Sequence, residues 1–133
     1  LEEQGKLKAA INILEYLIDI FPNYLEGYNK LGIIYKKADL FDKAIEIFQQ
    51  GLEKDSNYVR FYGNFANVLQ NKGNYEQALK FYNKALQLKP NYYEAIFSRS
   101  LLYLLKGEFK KGWKDYESRW KINGITKRKF SVP

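Results

Sequence analysis

Residues 59–90 read VRFYGNFANVLQNKGNYEQALKFYNKALQLKP, and this stretch decides the fold. Apolar residues recur in its first half at intervals of three and four, which places them on one face of a helix. These residues are Tyr62, Phe65, Ala66 and Leu69. A turn at residues 72–74 interrupts the pattern, a second stripe follows at Ala78, Tyr82 and Ala85, and Pro90 ends it. The stretch therefore predicts two antiparallel helices joined by a tight turn.

The same pattern recurs at a spacing of 34 residues on both sides of this stretch. The upstream counterparts are Tyr28, Leu31, Gly32, Tyr35, Ala44, Phe48 and Gly51. The weaker downstream counterparts are Ile96, Ser100, Tyr103, Gly107, Phe109, Gly112 and Tyr116. The second half alone occurs near the start, at Gly5, Ala10, Leu14, Leu17 and Pro22. On these residues the chain resembles the tetratricopeptide repeat family, whose period and aromatic–small pattern it shares.

The resemblance implies an all-α, right-handed superhelical solenoid of antiparallel helix pairs. The predicted divisions are a half repeat at 1–24, repeats at 25–58 and 59–92, a divergent repeat at 93–121, and a basic tail or linker at 122–133. Residues 1–4 are predicted to end an earlier helix, with its partner helix at 6–20. Because the first residue is Leu, we expect a fragment or a processed chain.

Two local predictions concern the repeat at 25–58. Asp39 is expected to cap the following helix through its carboxylate, since Asp is a favoured N-cap residue. Ala44 and Gly51 are expected to stay small because each faces an aromatic ring across the helix pair. A larger side chain there would overpack the contact by about 1–3 kcal/mol.

Composition narrows the range of functions. The chain has 133 residues, no Cys and no His, so thiol nucleophiles, disulfides and the commonest zinc ligands are excluded. Asp115 and Glu117 are predicted to lie on different faces of one helix, which makes paired-carboxylate catalysis a poor interpretation. We therefore expect no enzyme activity and no cofactor in this chain.

Hydropathy and charge bear on location and partners. No apolar run is long enough to span a membrane, and no secretory signal is visible, so a cytoplasmic location is expected, unless an upstream signal has been removed. The net charge of +7 is uneven: residues 1–24 carry −2, whereas residues 93–133 carry +6. A basic half could attract acidic peptides, nucleic acid or an anionic surface, or its lysines could simply solvate helix faces.

The resemblance also implies that the first helix of each pair lines a concave groove that binds extended peptides. On residues 58–71 the outward stripe consists of Arg60, Asn64, Asn67 and Asn71, and carboxamides can satisfy a peptide backbone of any sequence. The full set of groove candidates is Asn29, Lys30, Ile33, Arg60, Asn64, Asn67, Asn71, Phe97, Ser98 and Leu101. The alternative is that these residues are solvated helix faces with no ligand. The expected partner is a protein or peptide segment.

Specialised versions of the family match less well. Asn29 and Ile33 do not supply the Lys and Asn pair of the clamp that holds a C-terminal carboxylate in chaperone-binding members. The Asn ladder of members attached to sugar-transferring enzymes is retained only at Asn64. Nucleic-acid binding is not expected, since only Phe97 is placed to stack on a base. Apolar end repeats make homo-oligomers an additional expectation.

The last repeat suggests an alternative function. Its pattern, from Leu101-Leu102 through Gly107, Phe109 and Gly112-Trp113 to Trp120, resembles bacterial proteins with a downstream glycosyltransferase-like domain. The chain would then be the substrate-recruiting or oligomerising arm of a larger enzyme. A simpler interpretation of Trp113 and Trp120, which lie seven residues apart, is that both are core rings of the final helix.

Overall fold

A computed structural model describes residues 2–122 of the chain, and the side chains of residues 2–117. These residues form seven helices and no strand. The helices are α1 (Glu2–Ile20), α2 (Leu25–Lys37), α3 (Phe41–Lys54), α4 (Val59–Asn71), α5 (Tyr75–Leu88), α6 (Tyr93–Leu105) and α7 (Phe109–Ile122). The all-α helical-repeat solenoid is thereby confirmed. Within this part of the chain, no helix combines the length and the apolar character needed to cross a membrane.

Consecutive helices pack in pairs, α2 with α3, α4 with α5 and α6 with α7, and α1 packs against α2. The core runs continuously through these pairs, because each pair buries large rings against small residues. Phe48 and Phe61 are fully buried, and Ala44 is equally inaccessible. A Cβ added to Gly51 would lie 2.5 Å from Cζ of Phe61. Gly51 must therefore stay small, but the ring that it faces belongs to α4 of the next pair and does not lie across the α2–α3 pair as predicted.

One contact recurs at the 34-residue period and joins α2 and α4 each to the turn before it. The hydroxyl of Tyr28 donates to the carbonyl oxygen of Pro22 at 2.8 Å, and that of Tyr62 donates to the carbonyl oxygen of Ser56 at 2.7 Å. The turn sequences differ, but both bonds use a backbone acceptor. The contact therefore survives a change of turn residue.

The prediction for the first residues was wrong. Glu2–Ile20 is one uninterrupted helix, so residues 2–4 belong to α1 and do not end an earlier helix. Gly5 lies inside it, and a Cβ there would meet no other atom within 4 Å. A single exposed Gly costs a helix only about 1 kcal/mol relative to Ala. Without turn residues beside it, Gly5 does not break the helix.

The prediction for Asp39 was also wrong. The N-cap of α3 is Leu40, and no side chain caps that helix end. Asp39 instead has a φ of 61°, in the left-handed region. Leu40 then donates its N–H to the carbonyl oxygen of Tyr35 at 2.8 Å. Asp39 therefore closes the end of α2, a position that demands an unusual backbone conformation rather than a carboxylate.

The fourth repeat forms the predicted helix pair, α6 and α7. Trp113 is 59% exposed, so its interpretation as a core ring was wrong for the described chain, and its indole stacks on Tyr116 at 5.5 Å between ring centroids. The tail or linker was predicted at 122–133, but Ile122 belongs to α7. Residues 123–133 and the side chain of Trp120 lie outside the described residues.

Candidate functional site

An open cleft lies where α2, α4 and the start of α6 come together. Its volume is about 560 Å³. Five of the predicted groove residues line it: Asn29, Lys30, Ile33, Arg60 and Asn64. The remaining lining residues are Glu26, Val59, Lys89, Asn91, Tyr92, Tyr93 and Glu94. Three successive repeats thus contribute to one polar cleft.

A pair of carboxamides joins α2 to α4 in the cleft. Nδ2 of Asn64 donates to Oδ1 of Asn29 at 2.6 Å. Asn29 is only 3% exposed, whereas Asn64 is half-buried. A carboxamide has two donor hydrogens and two acceptor lone pairs, so this single bond leaves further hydrogen-bonding capacity on the pair. The arrangement holds Asn64 in a fixed position while keeping it accessible.

Charged groups of both signs form the rim around the carboxamides. Oε2 of Glu26 accepts a hydrogen bond from the hydroxyl of Tyr58 at 2.8 Å and one from Nη1 of Arg60 at 3.3 Å. Burial, together with the bond to the Glu26 carboxylate, raises the pKa of Tyr58 to about 12. The phenol therefore stays protonated at neutral pH and acts as a donor to Glu26. Arg60 remains more than half exposed and can reach a ligand.

The loop between α5 and α6 closes one side of the cleft. The ring of Tyr92 lies against Gly63, where an added Cβ would come within 3.2 Å of it. Nζ of Lys89 lies 5.4 Å from the centroid of the same ring. Burial, and to a lesser degree Glu94, raises the pKa of Tyr92. This loop adds a cation and one tyrosine to a wall that otherwise comes from helices.

The other two members of the α4 stripe lie elsewhere. The single hydroxyl proton of Tyr82 is shared between two acceptors, Oδ1 of Asn67 and Oε1 of Gln70, the latter at 2.9 Å. Tyr82 is 1% exposed, and burial raises its pKa. Asn71 is exposed at the end of α4. Asn67 therefore supports the fold, and neither residue lines the cleft.

The three groove candidates on α6, Phe97, Ser98 and Leu101, lie outside the cleft. Phe97 and Ser98 are half-buried, and the Phe97 ring lies 6.3 Å from that of Tyr116. Leu101 is 42% exposed and Leu105 is 60% exposed. Leu101 and Leu105, four residues apart on α6, expose an apolar surface, the apolar end, one repeat beyond the carboxamide pair.

Lys89, Asn91 and Tyr92 of the α5–α6 loop, and Tyr93 at the start of α6, were not among the sequence candidates, because the candidates came from stripes on the first helices. One signal could have found Tyr92. Tyr24, Tyr58 and Tyr92 recur at the 34-residue period, immediately before α2, α4 and α6. This recurrence marks Tyr92 as a junction residue, although Tyr24 and Tyr58 do not line the cleft.

The described residues contain no group of three or more Asp or Glu side chains placed to hold a metal ion. Asp115, a former candidate acid, is buried and bonded to Arg99 through Oδ2–Nε at 2.6 Å and Oδ1–Nη2 at 2.8 Å. Its carboxylate therefore serves a structural ion pair. The chemistry available in the cleft is hydrogen bonding and charge recognition.

Comparisons with known proteins agree with this architecture. Residues 59–92 match one tetratricopeptide repeat model, and residues 1–63 match another. Among solved structures, a crystal structure of MamA protein is 24% identical over 92% of this chain and 67% of that one, with a TM-score of 0.76.

Two further structures come from named organisms. MamA from Desulfovibrio magneticus is 13% identical over 96% of this chain and 72% of its own, with a TM-score of 0.79. A tetratricopeptide repeat protein from Parabacteroides merdae is 22% identical over 95% of this chain and half of its own, with a TM-score of 0.76. These likenesses show a shared fold. No curated protein matches the chain by sequence.

Proposed function

We propose that this chain, which belongs to the tetratricopeptide repeat family, binds an extended segment of a partner protein in the cleft between α2, α4 and α6. The observation that carries the proposal is the Asn29–Asn64 carboxamide pair, held between two repeats inside an open polar cleft. The chain is an interaction module in this proposal, and the chemistry of any reaction belongs to its partners.

The polar lining favours recognition of a peptide backbone. Peptide groups present alternating donors and acceptors, and the carboxamide pair offers both. Because Asn29 is buried and Asn64 is bonded to it, the pair loses little conformational entropy when a ligand binds. A rigid amide pair of this kind holds an extended chain without demanding a particular side chain.

The rim adds selectivity for charge. Lys30, Arg60 and Lys89 line the same opening as Glu26 and Glu94. Nη1 of Arg60 lies 3.3 Å from Oε2 of Glu26, so three cations share the opening with two carboxylates. A ligand segment that carries both charge signs beside its backbone contacts fits this rim better than a uniformly acidic one.

The apolar end supplies a third element. Leu101 and Leu105 expose aliphatic surface one repeat beyond the carboxamide pair. Burial of apolar surface contributes about 25 cal/mol per Å², so a single apolar side chain of the ligand placed here would raise affinity appreciably. The proposed ligand therefore has a polar or charged part followed by an apolar residue.

Peptide selection tests the proposal directly. A random dodecapeptide library is panned on the immobilised chain, and the selected peptides are measured by fluorescence anisotropy. Asn64→Ala and Lys30→Ala should each weaken binding about five- to ten-fold, since each removes a polar contact worth about 1 kcal/mol. Gln77→Ala, a matched carboxamide truncation on the exposed side of α5, should leave affinity unchanged.

If the selected peptides bind all these variants equally, the cleft is not the binding site. Affinity that falls between low and physiological salt supports a contribution from the charged rim. A flat salt response, together with a loss on Leu101→Ala, assigns the main contribution to the apolar end instead.

A second candidate function rests on the last repeat. The pattern around Gly112-Trp113 resembles repeats that precede a glycosyltransferase-like domain, and Trp113 is exposed. In that case the cleft recruits a substrate protein for a linked enzyme. A parent gene whose coding sequence continues past Pro133 into such a domain supports this candidate, and one that encodes no such domain removes it.

A further inference from the structure

The tyrosines that precede α4 and α6 occupy equivalent positions in successive repeats, but their hydroxyls differ in what they contact. Tyr58 and Tyr92 are the N-cap residues of the two helices, with φ of −77° and −78°. The hydroxyl of Tyr58 donates to the carboxylate of Glu26 at 2.8 Å. The hydroxyl of Tyr92 makes no hydrogen bond to another residue in the described part of the chain. One of two equivalent phenols therefore keeps an unused donor.

The sequence explains this difference. Tyr58 finds its acceptor on the first helix of the preceding repeat, at Glu26. The residue one period after Glu26 is Arg60, so the preceding repeat presents a cation to Tyr92 at the position where it presents a carboxylate to Tyr58. A guanidinium has no acceptor for a phenol proton. The repeat that contains Tyr92 thus lacks the internal carboxylate that its neighbour has.

The phenol of Tyr92 lies in the wall of the cleft, beside charged side chains. Its Oη is 3.4 Å from the position that a Cβ on Gly63 would take, so the ring rests on α4. Nζ of Lys89 lies 5.4 Å from the ring centroid. Burial raises the pKa of Tyr92, Glu94 raises it further, and Arg60 lowers it, so both of these charges act on the phenol. The phenol stays protonated at neutral pH and can donate, and two cations outnumber the one carboxylate around it.

We propose that Tyr92 binds an acidic side chain of the segment held in the cleft. An Asp or Glu carboxylate of the ligand accepts the hydrogen bond from the hydroxyl, flanked by Lys89 and Arg60. The ligand thus gives Tyr92 the kind of group that Glu26 gives to Tyr58, and a charged acceptor makes the bond stronger than a neutral one. This inference rests on the proposed peptide binding and places one residue of the ligand at the α5–α6 loop.

Unfolding of the chain without ligand tests whether the hydroxyl is unused. Tyr58→Phe should lower the urea midpoint, because it removes the hydrogen bond to Glu26. Tyr92→Phe should leave the midpoint unchanged, since the ring and its contact with Gly63 remain. If Tyr92→Phe destabilises the chain as much as Tyr58→Phe does, the hydroxyl already has a partner within the chain, and the proposal is wrong.

A double-mutant cycle between chain and peptide tests the contact itself. The probes are dodecapeptides selected on the immobilised chain that lose affinity on Asn64→Ala and therefore bind in the cleft. Each Asp or Glu of such a peptide is replaced in turn by its amide, and affinity is measured by fluorescence anisotropy. One replacement should weaken binding about ten-fold on the unmodified chain but no more than about three-fold on Tyr92→Phe, because both changes remove the same hydrogen bond. Tyr24→Phe, the same change at the equivalent position outside the cleft, is the matched control and should behave like the unmodified chain.

The outcomes separate this inference from the proposed function. Peptides that depend on Asn64 but bind Tyr92→Phe as tightly as the unmodified chain overturn the inference and leave the peptide binding in place. Cleft-bound peptides without an acidic residue, or amide replacements that cost the same on both chains, overturn it as well. If selection yields no peptide that depends on Asn64 or Lys30, the proposed function fails and this inference fails with it.

Discussion

The guanidinium of Arg99 donates two hydrogen bonds to the buried carboxylate of Asp115, from Nε to Oδ2 at 2.6 Å and from Nη2 to Oδ1 at 2.8 Å. One repeat earlier the corresponding residues are Phe65 and Phe81, whose rings stack with centroids 4.3 Å apart. The fourth repeat thus holds α6 to α7 with a two-point ion pair where the third uses a ring stack.

This exchange predicts that removing one partner of the ion pair lowers stability much more than replacing both partners. Asp115→Ala should destabilise the chain by about 2–4 kcal/mol, because it leaves a largely buried guanidinium without its counter-ion. The double variant Arg99→Phe with Asp115→Phe, which restores the stack of the third repeat, should lie much closer to the original stability. Urea unfolding of both variants measures the difference. If the double variant is as unstable as Asp115→Ala, packing around α7 depends on the ion pair itself.

The backbone conformation of Asp39 predicts that replacing this residue with glycine stabilises the chain. It has a φ of 61°, whereas the corresponding positions one and two repeats later are glycines, with φ of 85° at Gly73 and 81° at Gly107. The left-handed region costs a residue with a Cβ roughly 1 kcal/mol. Asp39→Gly should therefore raise the free energy of unfolding by about that amount. Gly73→Asp, where an added Cβ meets nothing within 4 Å, should lower it. Thermal unfolding of both checks the sign.

Gly51 and Gly5 predict opposite outcomes for the same substitution. Gly51→Ala places a Cβ against the fully buried ring of Phe61. The ring of Tyr58 packs on that of Phe61 with 4.5 Å between the ring centroids, so Phe61 has little room to move. Overpacking of this kind costs about 1–3 kcal/mol. Gly5→Ala lies in open space on α1, and Ala is the better helix former by up to about 1 kcal/mol. Urea midpoints should move down for Gly51→Ala and up for Gly5→Ala.

Asn67 predicts a stability effect where the sequence suggested a ligand contact. Asn67→Ala removes one of the two acceptors of the buried Tyr82 hydroxyl. The free energy of unfolding should fall by about 1 kcal/mol. Asn71→Ala, at an exposed position of the same stripe, should be neutral. Equal stability of the two variants would show that Gln70 alone satisfies Tyr82.

Glu76 predicts a pH effect. Nζ of Lys106 lies 2.6 Å from Oε1 of Glu76 and lowers the pKa of that carboxyl below its ordinary value of 4.5, with a smaller contribution from Lys80. A lowered folded-state pKa favours the folded state above pH 4.5, and this contribution disappears as pH falls through the folded-state pKa. In an NMR titration of the Glu76 carboxyl, Lys106→Gln should raise its pKa more than Lys80→Gln does. The reverse order would contradict the assignment of the main partner.

The Lys106–Glu76 contact repeats one made a period earlier. Nζ of Lys72 lies 2.6 Å from Oδ1 of Asp42, so both pairs join the end of one first helix to the start of the preceding second helix. The sequence shows these four residues at the right spacing. It does not show that they meet, because their contact depends on how one repeat is rotated against the next.

The amino-acid sequence by itself determined the helix pairs from α2 onwards and the period, because rings and small residues at intervals of three and four mark the helix faces that are buried. Tertiary structure decided which outward side chains are available. Asn64 and Asn67 lie on the same stripe, but a buried tyrosine hydroxyl needs an acceptor and engages Asn67. Asp39 is of a residue type that often caps a helix, but the chain reversal between α2 and α3 requires a positive φ at that residue. Periodicity shows in which direction a side chain points from its own helix. The hydrogen-bond partners of that side chain lie on neighbouring helices, and the positions of those helices depend on how they pack.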